Sequence, residues 1–201
     1  QPVTTVYAMK RENIAVNKER KTLYTHYSPA LSDIIYHTNQ KSINLYAEAI
    51  LKTIGRTQIN DGSRESGTKA VTTFYSNKGI NLDGMNVEDG SGLSRMNVFT
   101  TKQMCSILMM EMKQPTFADF KTSLPIAGKT GTLKTIGDGT AAAGKVFAKS
   151  GSMYKVRSYS GYVQTKSGEL LSFCIVVNNY TCGTAEIKAK LEKMMILMAG
   201  L

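Results

Sequence analysis

A lysine, a serine and a glycine in succession, Lys149-Ser150-Gly151, are residue types that could hold an anion. The ammonium attracts a carboxylate, the hydroxyl donates a hydrogen bond to it, and the glycine lets a second backbone approach closely. The tripeptide gains weight from its setting in residues 145–180, which read as three apolar-rich runs separated by turn residues. The first run opens at Val146 and Phe147 and is expected to end at Lys149-Ser150-Gly151-Ser152. The second covers residues 157–164, and Ser167-Gly168 turns it into the third, residues 170–177. β-branched and aromatic residues with Gly and Ser at the corners predict an antiparallel meander whose first strand ends on the cation, the hydroxyl and the glycine.

A second chemical pair lies far upstream. Ser42 and Asn44 fall between two predicted helices, and from such a turn a hydroxyl and an amide can relay a proton and hydrogen-bond a peptide amide. Other matches carry less. Gly139 to Lys145 fits the start of a phosphate-binding loop, but Val146 stands where a magnesium-holding hydroxyl belongs, and a strand follows where a helix should. Gly128-Lys129-Thr130-Gly131-Thr132 contains Lys-Thr-Gly literally, yet no strand pair flanks it, so it reads as a loop. The nucleophile signature Ser-x-x-Lys, in which the lysine helps deprotonate the serine, occurs at Ser66 with Lys69 and at Ser152 with Lys155. Helix capping accounts for Ser66. Ser152 lies at the strand end and turn of the meander, where no catalytic helix fits, and both matches read as accidental.

The elements that must position these groups follow from periodicity. Residues 1–27 suggest two strands around a charged turn. Ser28 as N-cap and Pro29 at the first helical position predict a helix with Leu31, Ile34 and Ile35 on one face, running to about Asn39. A second helix has Tyr46, Ile50 and Ile54 spaced four apart with Gly55 as its stop, and a third, residues 66–77, is expected to turn Ala70, Val71 and Phe74 inward. After a short strand and the loop of residues 89–95, Thr100 and Gln103 form a capping box for a helix with Met104, Leu108 and Met112 in register. Its methionines read as core filling. A short helix over residues 117–124 and a glycine-rich stretch precede the meander, and an amphipathic helix with Ile187, Leu191, Met195 and Met198 on one stripe closes the chain. Helices first and a sheet second predict an α+β fold, with a mainly helical region over residues 28–144 and the meander plus a helix over residues 145–201.

Composition narrows the classes. At 201 residues with a formal charge of +10, the chain is long enough for a real core and basic enough to invite an anionic partner. The cations are dispersed, however, and no RNP-like motif or basic helix marks a nucleic-acid partner. No apolar run is long enough for a membrane span and no signal peptide is evident, although the start at Gln1 suggests a processed product or a cut piece. Cys105 and Cys174 read as core residues, while a Cys174–Cys182 bridge stays open. Neither His26 nor His37 has a partner pattern, so no metal or cofactor is expected.

Three ordered blocks carry a resemblance. Residues 28–52, SPALSDIIYHTNQKSINLYAEAILK, resemble the Ser-x-Asn region of class C low-molecular-weight penicillin-binding proteins, the D-alanyl-D-alanine carboxypeptidase/endopeptidases. DGSGLSR at residues 89–95 is similar to their second hallmark. LPIAG (124–128) through GTL (131–133) to AKSGS (148–152) and SGYV (160–163) resembles the third. The resemblance implies a β-lactamase/transpeptidase-like fold, an antiparallel sheet covered by helices, with the site between sheet and helical region. It places Lys149, Ser150 and Gly151 on the substrate carboxylate, the Ser152 N–H in the oxyanion hole, Ser42 in proton transfer, Asn44 on the peptide amide, and residues 89–95 in support. It further implies peptidoglycan stem peptides and β-lactams as ligands, in the periplasm or another extracytoplasmic space. The family's nucleophile helix lies upstream of Ser-x-Asn, and nothing before Ser28 matches it. The chain is therefore expected to be the C-terminal part of such an enzyme, inactive alone, with uncovered surface that invites self-association. A non-catalytic peptidoglycan-binding relative is the alternative.

Overall fold

A computed structural model describes Met9, residues 11–15 and residues 22–201 of the chain. Helices α1 (Leu31–Lys41), α2 (Asn44–Ile59), α3 (Arg64–Asn77), α4 (Thr101–Glu111) and α5 (Phe117–Ser123) come first, then a 3₁₀ turn at Gly131–Leu133. Strands β1 (Val146–Met153), β2 (Val156–Gln164) and β3 (Leu170–Asn178) follow, and α6 (Thr184–Ala199) ends the order. The strands form one antiparallel sheet in the order β1-β2-β3, with Lys149 opposite Ser160 and Ser160 opposite Cys174.

Side chains alternate across the sheet, so each face builds its own core. On one face Val146, Ala148, Tyr159, Val163 and Phe173 pack with Ile187, Leu191 and Met195 of α6. The predicted stripe of α6 is the one that is used. On the other face Phe147 and Tyr162 meet Leu108 and Met104 of α4 and Met112 at its C-cap, together with Phe117 and Phe120 of α5. Tyr162, fully buried, satisfies its hydroxyl by donating to the Leu108 carbonyl at 2.9 Å. The α4 capping box forms as read, with the Gln103 N–H on Thr100 Oγ1 at 3.1 Å and the Thr100 N–H on Gln103 Oε1 at 2.8 Å.

Several expectations need correction. Lys149-Ser150-Gly151 lies inside β1, since the ladder with β2 carries the strand on to Met153 and the hairpin turns at Tyr154 and Lys155. Helix α1 starts at Leu31, because Ala30 is extended (ψ 147°) and leaves Ser28 and Pro29 outside. Gly55 does not stop α2, which runs on to Ile59. Gly55 is instead where α3 crosses, and a Cβ there would stand 2.6 Å from the Gly67 nitrogen. The cap of α3 is Ser63, whose side chain accepts from the Ser66 N–H, and Ser66 Oγ donates to Asp61 at 2.6 Å. The α3 stripe is not inward: Phe74 is 46% exposed, and with Ile54, Ile59, Ala70 and Val71 it lines an open groove between α2 and α3. In place of a strand after α3 there is one bridge, Asn86 to Val98. Residues 22–27 join no ladder, and the other suggested strand, over residues 3–7, lies outside the described residues. All three cysteines are free. Among the described residues no helix is long and apolar enough to cross a membrane, and no group of three His, Cys, Asp or Glu could hold a metal ion.

Candidate active site

Backbone accounting along β1 shows where a ligand could lie. Residues 124–127 run beside the start of its outer edge. The Val146 carbonyl accepts from Ala127 N–H at 2.9 Å, and Ala148 N–H donates to the Pro125 carbonyl at 3.0 Å. Even-numbered residues of β1 thus direct their peptide groups outward, while Lys145, an odd one, turns its carbonyl to Gln164 of β2. Beyond Ala148 no described residue continues this cover. The N–H groups of Ser150 and Ser152 therefore face an open edge, one that can accept an extended peptide by strand addition.

At that edge two distant segments meet. Lys149 Nζ donates to Ser42 Oγ at 2.7 Å and to the Ser150 carbonyl at 2.7 Å. Burial lowers the Lys149 pKa from its ordinary value, and no carboxylate forms an ion pair with it among the described residues. Behind the ammonium a cavity of about 350 Å³ separates the sheet from the helices, lined in part by Asn39, Tyr75, Leu108, Glu111 and Ser160. An ammonium at the rim of such a cavity, without an anion of its own, is a group ready for one.

Ser42 reaches this place by an uncommon backbone. It caps the C-terminus of α1 in the left-handed region (φ 54°, ψ 52°), its N–H on the Thr38 carbonyl. Asn44 then opens α2 and is exposed. A left-handed residue with a Cβ stores about 1 kcal/mol of strain that glycine lacks. Ser42→Gly is therefore expected to be more stable to urea than Ser42→Ala by about 1 kcal/mol, although both remove the hydroxyl. Equal midpoints would show that the turn carries no strain.

Residues 89–95 support α2. The Asp89 carboxylate accepts from the N–H of Gly92 and of Ser94, both at 2.7 Å, and from Asn97 Nδ2 at 3.0 Å. Burial works to raise its pKa, but these hydrogen bonds outweigh it and hold the carboxyl below the ordinary value. Ser91 N–H donates to Glu48 Oε1 at 2.9 Å, and a Cβ on Gly90 would lie 2.6 Å from the Ala47 carbonyl oxygen. The loop thus buttresses the first turns of the helix that carries Asn44.

Neither Ser-x-x-Lys match forms a working pair. Ser66 is bonded to Asp61, and Lys69 lines the groove between α2 and α3. Ser152 Oγ accepts from Arg157 at 2.9 Å, while Lys155 sits in the hairpin turn at φ 57°. One residue of the dismissed Lys-Thr-Gly loop does reach the site: Thr132 Oγ1 lies 2.9 Å from Ser150 Oγ. Gly131-Thr132-Leu133 was visible as part of the third resemblance block, but its contact with Ser150 spans 18 residues and leaves no local pattern.

Comparison with known proteins agrees with this architecture. Residues 6–201 match the D-Ala-D-Ala carboxypeptidase 3 (S13) family. The chain is 36% identical over 169 residues to a D-alanyl-D-alanine carboxypeptidase of an Actinomadura species, covering 82% of this chain and 31% of that protein. It is 30% identical over 176 residues to the D-alanyl-D-alanine carboxypeptidase DacB of Haemophilus influenzae, covering 86% and 37%. It spans about a third of the length of these curated relatives. A crystal structure of penicillin binding protein 4 from H. influenzae, complexed with a β-lactam, superimposes with a TM-score of 0.78 at 26% identity, over 95% of this chain and 48% of that one. A class A β-lactamase representative from Bacteroides cellulosilyticus shares the fold at a TM-score of 0.59 and 18% identity. The architecture is α+β of the β-lactamase/transpeptidase type.

Proposed function

The chain belongs to the D-Ala-D-Ala carboxypeptidase 3 (S13) family, and from that premise we propose that it supplies the substrate-binding edge and the Ser-x-Asn wall of a serine-type peptidase acting on D-alanyl-D-alanine ends of peptidoglycan stem peptides. The observation that carries this reading is Lys149 Nζ at 2.7 Å from Ser42 Oγ beside the uncovered half of β1.

In this reading the substrate lies along β1. Lys149 and Ser150 bind its terminal carboxylate, and Gly151 leaves room for its backbone. The Ser152 N–H donates to the scissile carbonyl oxygen, whose negative charge grows as a serine oxygen bonds to the carbonyl carbon. Asn44 holds the peptide amide, and Ser42, fixed by Lys149, passes a proton to the departing D-alanine nitrogen as the C–N bond breaks. Water then hydrolyses the acyl ester. No cofactor enters any step. The serine and its lysine come from outside the described groups, because neither Ser66 nor Ser152 is bonded to a lysine. β-lactams fit as mimics of the D-alanyl-D-alanine end. The location is periplasmic or otherwise extracytoplasmic, where peptidoglycan is. The outer edge of β3 has no partner strand among the described residues, which supports pairing with a second copy or with a strand from further along a longer protein.

Intact mass after incubation with benzylpenicillin tests the assignment. The 201-residue chain is expected to stay unlabelled, while a chain extended upstream to include a Ser-x-x-Lys helix gains the mass of one penicillin. Labelling of the 201-residue chain would make Ser66 or Ser152 the nucleophile and overturn the proposal. An extended chain that stays unlabelled would leave a non-catalytic peptidoglycan binder.

A further inference from the structure

Thr132 belongs to a loop clamped between the two walls of the site. Gly131 sits at φ 56°, and a Cβ there would lie 2.6 Å from Gln40 Oε1 and 2.9 Å from the Gln40 carbonyl oxygen. Gln40 is itself buried near the end of α1, its Nε2 donating to the Ser123 carbonyl at 3.0 Å. Toward the sheet, Thr130 Oγ1 accepts from Ile126 N–H at 3.0 Å, and Ile126 bridges to Phe147 of β1. Held from both sides, the loop brings Thr132 Oγ1 to 2.9 Å from Ser150 Oγ.

A serine hydroxyl has one proton to give. In the free structure Ser150 donates it to Thr132. A carboxylate at the strand edge is an acceptor only, so Ser150 must turn its proton away from Thr132 to bind it. The Ser150 oxygen is then free to accept, and the Thr132 hydroxyl, 2.9 Å away, can turn its proton to it without a heavy atom moving. We propose that Thr132 is a positioning residue for carboxylate recognition: on binding, the hydroxyl pair reverses, Thr132 donating to Ser150 and Ser150 donating to the terminal carboxylate of the substrate. A donor behind Ser150 polarises its O–H and strengthens the bond it makes in front. This inference rests on the carboxylate role given to Lys149 and Ser150 above.

The test is an NMR titration of the 201-residue chain with an N-acylated D-alanyl-D-alanine peptide and with its C-terminal amide. Wild type is expected to prefer the free acid. Thr132→Val should weaken the acid about five- to tenfold, the share of one hydrogen bond acting through a charged contact, and Thr132→Ser should restore affinity to within about twofold of wild type. In a Ser150→Ala background Thr132→Val should change nothing further, because there is no hydroxyl left to turn. A Thr132→Val chain that binds as wild type, or that weakens binding equally with and without the Ser150 hydroxyl, overturns the inference and leaves the site reading intact. A wild-type chain with no preference for the acid overturns that reading, and the inference falls with it.

Discussion

Replacing Lys149 with methionine is expected to weaken carboxylate binding severely and yet leave the chain more stable than wild type at neutral pH. The ammonium is partly buried, bonded to two neutral oxygens, and without a carboxylate partner among the described residues. Burial is what lowers its pKa below the ordinary 10.5. Removing the charge should cost a carboxylate ligand about 100-fold or more in affinity, the usual scale for deleting one member of a desolvated charge pair. It should return on the order of 1 kcal/mol of folding stability, since methionine fills similar volume without the desolvation penalty. The sign with pH follows. Between the depressed folded value and 10.5 the unfolded chain still holds a proton that the folded chain has released, so wild-type stability rises with pH through that window. The methionine chain has no such group, and its advantage should shrink over the same climb. Urea unfolding of both chains across that range, with a ligand titration at neutral pH, measures both effects. A methionine variant less stable at pH 7 would mean that the hydrogen bonds to Ser42 and Ser150 outweigh the burial of the charge.

Gly161→Ala carries the second large effect, on folding. Gly161 faces Ala148 across β1 and β2, and a Cβ there would overlap the Phe147 carbonyl oxygen and lie 2.7 Å from Ala148 Cα. Both obstacles are backbone, so no side-chain rotation relieves them. The strand that must give way is the one that carries Lys149, and its other edge is held by the bonds to residues 125 and 127. Overpacking of this kind should cost about 3 kcal/mol, or roughly 10 °C in midpoint for a chain of this size. Thermal melts or urea titrations decide it. A loss below about 1 kcal/mol would show that β1 and β2 can part enough to admit a methyl group.

Much of this was legible locally. The apolar-rich runs of β2 and β3, the Thr100–Gln103 box and the α6 stripe each depend on neighbours a few residues away, and the structure has all of them. What misled was decided by distant partners. Lys-Ser-Gly-Ser is poor strand sequence, yet Lys149 to Ser152 stay paired because β2 lies opposite at Ser160 to Arg157. Gly55 resembles a helix stop, but it is spared a side chain because Gly67 crosses it. Phe74 has helical spacing on a face that no described element covers. The meeting of Ser42 with Lys149 spans 107 residues of sequence, and residue order alone could suggest it but not supply a distance. Thr132 stood within the third resemblance block, but its contact with Ser150 emerged only once its loop was placed.

The half-covered edge of β1 has one more consequence. A peptide laid antiparallel on Ser150 and Ser152 points its C-terminus toward Ala148, where residues 125 and 127 already occupy the hydrogen-bonding positions. In that direction the track is a cul-de-sac. Toward Met153 and the hairpin no strand among the described residues blocks the way. The edge therefore tolerates length unequally. A ligand laid in this way would have room among the described residues on its amino-terminal side and would meet residues 125 and 127 on its carboxyl side. A neighbour that contributes no chemistry would thus act as the buffer at the end of the line, setting where such a ligand halts before any reactive group touches it.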